Sequence, residues 1–371
     1  MADQLDIVFL TAGAEPGKDG VGDYVRQVGG ALAARGYAVG WLAWRDSGVS
    51  EPKGRIDHGI VQLRLSAAST ELARRERAVE WWQSHRPTVL SWQLTPYGFH
   101  PRGWVGGLGN WFRHLAGPAK VQLMAHEIWL GAKRESTPRE RIAGQGQWHS
   151  WRRMIRTLRP DWVHTQASPY QYLLKSLGVQ AELLPLCGNI PLYPSPPRDD
   201  PHFRVGFFGS LYEPWDEKAL FADLQRLSSH LNRPVKLMAA GRLGAAGEAR
   251  WQRWQQERPH GWPLERCARH DPASISRYLQ QLDLGLTTNP VALLEKSGSF
   301  IAMQEHGLRV RVLRDDVSFP RWRPARELSP HLCRPGEDIV RWWDASEPPP
   351  RVSRLPQAAD AYQRLIEEAR R

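Results

Sequence analysis

The sequence predicts an α/β chain of two parallel-sheet domains, and three observations carry this. Short apolar runs alternate with helical patterns along nearly the whole chain, the signature of successive β-α-β units. The segment Asn189 to Pro201, NIPLYPSPPRDDP, holds five prolines in thirteen residues and reads as a stiff, extended linker. At 371 residues the chain exceeds what one hydrophobic core usually serves. The expected division is an N-terminal domain over 1–188, a linker over 189–201, a C-terminal domain over 202–347, and a final segment over 348–371. The helix of that last segment can pack back on the N-terminal domain.

The elements follow in order. Asp6 to Thr11 is a buried strand, followed by the glycine-containing loop AGAEPGKDGVGDY. A helix over Val25 to Arg35 ends at Gly36, and Tyr37 to Trp44 is the second strand. Gly13, Gly17, Gly20 and Gly22 lack the Gly-x-Gly-x-x-Gly spacing, so no dinucleotide site is expected here. Gly20-Val21-Gly22-Asp23-Tyr24 forms the tip of this loop, where Asp23 either caps the helix or meets a ligand. Glu71 to Gln83 is helical. Thr88 to Gln93 is the third strand, ending in an aromatic, Gly-rich loop over Thr95 to Gly109. Val121 to Ala125 is the fourth strand, with His126-Glu127 leaving its carboxyl end. There parallel sheets bind ligands, and His126 is either a ligand contact or a satisfied structural histidine. Helices over Gln147 to Leu158 and Pro169 to Leu177 flank a fifth strand, Trp162 to Thr165, and Ala181 to Leu186 is the sixth.

The alternation restarts after the linker. Phe203 to Phe208 is a strand, with Gly209-Ser210-Leu211-Tyr212 as its turn. Trp215 to His230 is a helix and Val235 to Ala240 a strand ending in Gly241-Arg242. Arg242 is either a solvated loop arginine or a clamp for a diphosphate. Helices over Glu248 to Glu257 and Ser274 to Gln281 lead to the strand Leu282 to Thr287. Asn289-Pro290 breaks that strand, and Lys296-Ser297-Gly298-Ser299 opens the next helix. Ser297 or Ser299 caps free backbone N–H groups, and Gly298 admits close approach of a ligand. The helix start and Lys296 both favour an anion, so this is an ordinary capped helix or a phosphate site. Gly307 closes it, and Val310 to Leu313 is the next strand. Short and final helices are expected over Asp338 to Trp343 and Gln357 to Ala369.

Composition narrows the partners. The formal net charge of +11 fits an anionic ligand or a membrane surface, but the basic residues are scattered, so nucleic acid is not indicated. Eighteen tryptophans suit cores, sugar platforms or a lipid interface. Cys187, Cys267 and Cys333 show no metal or disulfide spacing, which points to a reducing cytoplasm. No apolar run is long enough to cross a membrane, and no signal peptide is read at the N-terminus.

In this order the parts resemble the GT-B glycosyltransferases, and more specifically the retaining glycosyltransferase family 4. The resemblance spans nearly the whole chain. It rests on Gly20-Val21-Gly22-Asp23-Tyr24 with Leu32 and Gly36, and on His126-Glu127. Leu184-Pro185-Leu186 before Asn189-Ile190-Pro191, Phe207-Phe208-Gly209-Ser210, and Lys296-Ser297-Gly298-Ser299-Phe300 through His306-Gly307-Leu308 complete it. It implies two Rossmann-like domains facing across a cleft, the first binding the acceptor and the second the nucleotide-sugar. The donor diphosphate would meet Gly209, Ser210, Arg242, Lys296, Ser297, Gly298 and Ser299. The acceptor would approach Gly20, Gly22, Asp23 and Tyr24, and the catalytic set would be His126, Glu295 and Asp23. No metal and no cofactor beyond the nucleotide-sugar substrate is implied. A glycan or lipid-linked acceptor, with peripheral association at the inner membrane face, fits the basic, Trp-rich first domain. The family's Glu-x7-Glu falls, aligned on Gly307, at Leu294 and Ala302. Glu295 stands one residue from the first of these, Ser210 replaces a basic residue after the turn glycine, and Lys218 lies near the second basic position. A non-catalytic relative that binds nucleotide or glycan, and a nucleotide-sugar hydrolase or epimerase, are the alternatives.

Overall fold

The fold is given by a computed structural model that describes residues 4–17, 20–194, 200–267, 271–323 and 331–371. Two segments read from the sequence lie partly outside the described residues, 18–19 of the first loop and 195–199 of the proline-rich stretch. The chain forms two compact units, Met1–Leu186 with Leu355–Arg371, and Cys187–Arg354.

The first unit contains β1 (Ile7–Thr11), α1 (Gly20–Ala34), β2 (Val39–Asp46), β3 (Lys53–Asp57), β4 (Ile60–Ser66), α2 (Glu71–His85), β5 (Val89–Leu94), α3 (Pro96–Phe99), α4 (Gly106–Ala116), β6 (Lys120–Ala125), α5 (Pro138–Leu158), β7 (Trp162–Thr165), α6 (Ser168–Leu174) and β8 (Glu182–Leu183). The second contains β9 (Phe203–Phe208), α7 (Glu217–Leu231), β10 (Val235–Ala240), α8 (Gly244–Glu257), β11 (Leu264–Arg266), α9 (Pro272–Gln281), β12 (Leu284–Thr287), α10 (Gly298–Glu305), β13 (Arg309–Val312), β14 (Leu332–Cys333) and α11 (Ile339–Ala345). The last helix, α12 (Leu355–Ala369), returns to the first unit.

The first sheet has the order β3-β4-β2-β1-β5-β6-β7-β8 and the second β11-β10-β9-β12-β13-β14. All pairs are parallel except the edge hairpin β3–β4. Each order reverses direction once, at β1/β5 and at β9/β12. Those switch points open a crevice at the carboxyl ends of the strands.

In the first sheet the two faces differ in chemistry. Val8, Leu10, Leu42, Leu90, Trp92, Leu123 and Ala125 build an apolar core with Phe112 and Trp151. There Trp92 meets Phe112 edge-on at 4.7 Å and Phe99 at 5.5 Å. The opposite face carries Phe9, Ser91, Gln93, Gln122, His126 and His164, and α12 lies on it through fully buried Tyr362, whose ring is 5.1 Å from Phe9. Arg35 pairs with Asp360 at 2.7 Å, Tyr37 donates to Glu367 at 3.2 Å, and Arg370 pairs with Asp6. The second unit has its own core around Trp254, flanked by Phe207, Trp215 and Phe221. Trp41, Trp44, Trp92, Trp151 and Trp254 are all fully buried, which accounts for part of the tryptophan content.

Several elements differ from the sequence expectation. Helix α1 starts at Gly20, so the Gly20–Tyr24 stretch is its first turns and not a loop tip. Burial of Gly22, Tyr24, Val25 and Val28 outweighs the poor intrinsic propensity of glycine, and Asp23 in the first turn suits the helix dipole. The expected loop over Thr95 to Gly109 contains α3 and the start of α4. Here glycine serves packing. A Cβ on Gly106 would stand 3.1 Å from the Ser150 carbonyl oxygen, and one on Gly109 would collide with that of Met154. Helix α5 starts nine residues before the expected Gln147, at Pro138, where Thr137 and Glu140 form a reciprocal capping box. The sixth strand shrinks to Glu182–Leu183.

The segment entering the second unit is fastened to it. Glu305, 2% exposed, accepts the backbone N–H of Gly188 at 2.9 Å and of Arg354 at 2.8 Å. One carboxylate thus holds the second and the last residues of that unit's chain. Tyr193 donates its N–H to Ser276 Oγ at 3.0 Å and accepts from Gln280 at 2.7 Å. His306 Nε2 faces the same hydroxyl at 3.0 Å.

Candidate functional site

In the second unit the residues singled out from sequence converge at the switch point between β9 and β12. The turn after β9 needs a positive φ, which Gly209 supplies at +85°. A side chain there would also press on Ser299, whose Cβ lies 3.3 Å from the position of a Cβ on Gly209. Thr288, at the end of β12, ties the two loops together. It accepts from Tyr212 N at 2.8 Å and donates to the Ser210 carbonyl at 3.3 Å. Gly209 and Ser210 are thereby held against the start of α10.

That helix start is more elaborate than the sequence suggested. Val291–Lys296 is a 3-10 turn, so Lys296 precedes the helix, and Ser297 is the N-cap. Ser297 Oγ accepts from Phe300 N at 3.3 Å and from the Asn289 side chain at 3.0 Å, and lies 3.2 Å from Ser299 Oγ. The next amides, of Gly298 and Ser299, belong to the first turn of a helix, where N–H groups have no intrahelical acceptor. Beyond Gly298 there is open space: a Cβ built on it meets no atom within 4 Å. Oriented amides, two hydroxyls and a positive helix end thus surround a side-chain-free backbone position, and helix starts of this kind favour negative charge.

Close by, Gly241 has φ +76° and approaches the Gly209 turn, so that a Cβ on it would lie 3.3 Å from Gly209 N. Arg242 follows it, exposed and without an ion pair among the described residues. Glu295 and Lys296 are half-buried on the 3-10 turn. Val291 N donates to Asp315 at 3.2 Å, and burial raises the pKa of that carboxyl against this bond. Leu294 and Ala302 are buried at 1% and 0%, so neither position offers a polar group. Lys218 is exposed on the first turn of α7.

The first unit brings together a different set. His126, 6% exposed, leaves β6 with its Nε2 2.7 Å from Gln93 Oε1 and its Nδ1 3.1 Å from Gln166 Oε1. The Tyr24 ring stands edge-on to it at 5.7 Å. Gln93 Nε2 donates to Ser91 Oγ at 2.6 Å and to the Tyr362 hydroxyl at 3.1 Å, which fixes Oε1 as the atom facing His126. His126 Nε2 therefore donates to Gln93 Oε1. Ser91 Oγ donates to Gln122 Oε1 at 2.5 Å, and Gln122 Nε2 lies 3.2 Å from His164 Nδ1. Burial holds the His164 pKa below the usual histidine range, so this ring is neutral. Burial likewise raises Tyr362, which stays a phenol. The result is a continuous buried polar chain across β5, β6 and β7, closed by a residue of α12.

Sequence reasoning found His126 and Tyr24 here but missed Ser91, Gln93, Gln122, His164, Gln166 and Tyr362. Strands covered on both faces usually read as unbroken apolar runs. Polar residues alternating at 91 and 93, and at 164 and 166, were the available signal. Asp23 is placed differently from these. Its carboxylate accepts from Gly17 N at 3.1 Å and pairs with Arg26 at 2.9 Å, and Arg26 also holds the Ala14 carbonyl at 3.0 Å. Asp23 therefore organises the loop before α1. Gly20 is exposed with open space beside it, and Gly22 is buried.

Among the described residues no group of three His, Cys, Asp or Glu side chains could hold a metal ion. No helix among them is long and apolar enough to cross a membrane. Burial pushes the thiols of Cys187 and Cys333 up to about 12.

No protein-family model matches the chain, and no curated protein does. Solved structures do match it over nearly its full length. A glycosyltransferase from Rickettsia africae aligns at TM-score 0.56 and 10% identity, over 99% of this chain and 98% of that one. The UDP-GlcNAc 2-epimerase of Methanocaldococcus jannaschii aligns at 0.55 and 9%, over 98% and 99%. HepE of Anabaena, in complex with UDP and glucose, aligns at 0.53 and 14%, over 98% and 92%. The chain has the GT-B fold. Within this GT-B chain, the Gly209–Ser210 turn and the Ser297–Ser299 helix start lie at the switch point of the second sheet, and the His126 network occupies the central strands of the first.

Proposed function

We propose that the chain is a retaining glycosyltransferase of the family 4 kind, moving a hexose from a nucleotide-diphosphate-sugar to a glycan, lipid-linked or small-molecule acceptor. The observation that carries this reading is the meeting of the Gly209-Ser210 turn with the Ser297–Ser299 helix start at a switch point. Such a cradle suits a diphosphate leaving group. Preorganised donors aimed at the leaving oxygens lower the barrier to breaking the anomeric bond. In this reading the amides of Gly298 and Ser299, the hydroxyls of Ser297 and Ser299, Lys296 and Arg242 stabilise the departing diphosphate. His126 positions the transferred sugar, and Glu295 takes the role that Leu294 cannot fill. Asp23 and the Gly20–Tyr24 turn meet the acceptor. The reaction requires no metal and no cofactor besides the sugar donor. The protein works in the cytoplasm on polysaccharide or lipid-linked acceptors at the inner membrane face.

A second reading has equal structural footing, because UDP-GlcNAc 2-epimerases align as well as glycosyltransferases do. The same cradle serves either reaction. A third, a non-catalytic binder, draws on the apolar Leu294 and Ala302. One experiment separates them: nucleotide-sugar turnover with and without a mixed glycan and polyprenyl-phosphate-sugar acceptor panel. Transfer that depends on acceptor supports the proposal. Acceptor-independent conversion to a 2-epimer or free sugar replaces it with the second reading, and no turnover of a bound donor replaces it with the third.

A further inference from the structure

A concavity of about 600 Å³ lies outside both clusters, in the first unit, between the segment after His126 and helix α5. Its floor is rigid. A Cβ on Gly144 would collide with the Leu130 carbonyl, and one on Gly131 would stand 2.6 Å from Arg141 Cα, so loop backbone lies directly on helix backbone. Gln147 locks this arrangement, accepting from Leu130 N at 2.8 Å and donating to Tyr97 Oη at 2.7 Å and to the Arg102 carbonyl at 2.8 Å. The walls are two indoles, buried Trp129 and partly exposed Trp148. Trp148 is fixed by its N–H bond to Ser176 Oγ at 3.0 Å. Exposed Arg141, Gln145 and His149 supply a cation, an amide and an imidazole at the rim.

We propose that this concavity is a binding site for an acidic sugar unit, one bearing a carboxylate or phosphate, and that it selects the acceptor; this rests on the transferase reading. The Trp148 indole carries the Arg152 guanidinium 5.5 Å over its ring, which adds a second cation beside an apolar surface suited to the C–H side of a pyranose, and an amide suits sugar hydroxyls. A guanidinium recognises a carboxylate or phosphate by charge-assisted hydrogen bonds. Between 131 and 156 seven Lys and Arg residues stand against two Glu, so the local field favours an anion over a neutral glycan. The volume falls within the range of small-molecule sites and admits one or two sugar rings. The floor is continuous with the segment that begins at His126, which links the site to the position assigned to the transferred sugar.

The test is calorimetric titration of the full chain with a tetrasaccharide of glucuronate and N-acetylglucosamine, beside the neutral N-acetylglucosamine tetramer. The acidic ligand is expected to bind about fivefold or more tighter at low salt. Arg141→Ala is expected to erase that preference, and Trp148→Ala to weaken both ligands about fivefold. Equal affinity for both ligands, no binding of either at millimolar concentration, or indifference to both substitutions would overturn the proposal. So would Arg141-dependent binding of vesicles containing phosphatidylglycerol without any binding of the acidic tetrasaccharide, which would assign the surface to lipid. Thermal stabilisation by nucleoside diphosphates, measured on the same variants, should be unchanged. Its persistence while the glycan arm fails would sink this site and leave the donor reading standing.

Discussion

Replacing Gln93 by Leu removes its polar atoms and shortens the side chain by one position. Three buried partners then lose a bond: His126 Nε2 at 2.7 Å, Ser91 Oγ at 2.6 Å and the Tyr362 hydroxyl at 3.1 Å. Ser91 retains its bond to Gln122, so its loss is partial. His126 loses the acceptor of its Nε2 proton inside a site that is 6% exposed. A buried polar group left unsatisfied costs about 1–3 kcal/mol, which places Gln93→Leu at about 2–4 kcal/mol of destabilisation. Tyr362→Phe removes one acceptor and leaves Gln93 bonded to Ser91, so about 1–1.5 kcal/mol is expected. The assay is urea unfolding followed by tryptophan fluorescence, paired with nitrogen-15 NMR of the His126 ring. The wild type should show the proton on Nε2, and Gln93→Leu should redistribute it. A loss under about 0.5 kcal/mol with unchanged ring signals would refute the claim that this chain of bonds holds His126.

Other consequences can be checked beside it. Glu305→Ala strips the acceptor from the Gly188 and Arg354 amides and should cost about 2–5 kcal/mol, whereas Glu305→Gln keeps an oxygen there and should cost far less. Burial raises the Glu305 pKa above its usual value, while the two backbone N–H groups and Arg354 oppose this. The carboxyl's contribution is therefore complete below the unfolded value, about 4.3, and is lost as pH rises through the folded value. Stability of Glu305→Gln relative to wild type should accordingly improve between pH 4 and pH 7, and a flat difference would contradict this. Gly109→Ala should destabilise by about 1–3 kcal/mol, because its methyl meets the α5 backbone, while Gly107→Ala, with open space beside it, should be neutral or stabilising. Ser297→Ala should cost about 1 kcal/mol in folding as an N-cap and should also weaken nucleoside diphosphate binding.

The legible parts of the fold were those where one local signal dominates. Phe203–Phe208, Val235–Ala240 and Trp162–Thr165 appear at the expected bounds, as short apolar runs closed by glycine or polar residues. The hairpin β3–β4 carried no such run: Lys53–Asp57 is a polar edge strand, and its turn rests on His58 and Gly59 at φ 51° and 78°. Glycine misled twice, at Gly20–Gly22 and at Gly106–Gly109, where the chain is helical and not a loop; at Gly106 and Gly109 close packing on α5 calls for it. In the second unit the candidate residues were open to inspection because they cluster in two short stretches, 209–212 and 296–299, while Thr288, which ties the 209–212 turn to the end of β12, carries no local signal. In the first unit it was not legible beyond His126 and Tyr24. Gln93 and Tyr362 are 269 positions apart, and no local pattern announces that α12 returns to the first sheet.

The most direct measurement is thermal unfolding with UDP, GDP, ADP, CDP and dTDP, each at high excess, on the wild type and on Lys296→Ala. A diphosphate at 100 times its dissociation constant adds about 2.7 kcal/mol, a shift of about 5–10 °C for units of this size. A diphosphate cradle at Gly209-Ser210 and Ser297–Ser299 predicts such a shift with at least one of the five, and a smaller one in the variant. No shift with any of them, in a wild type that unfolds cooperatively, would contradict it.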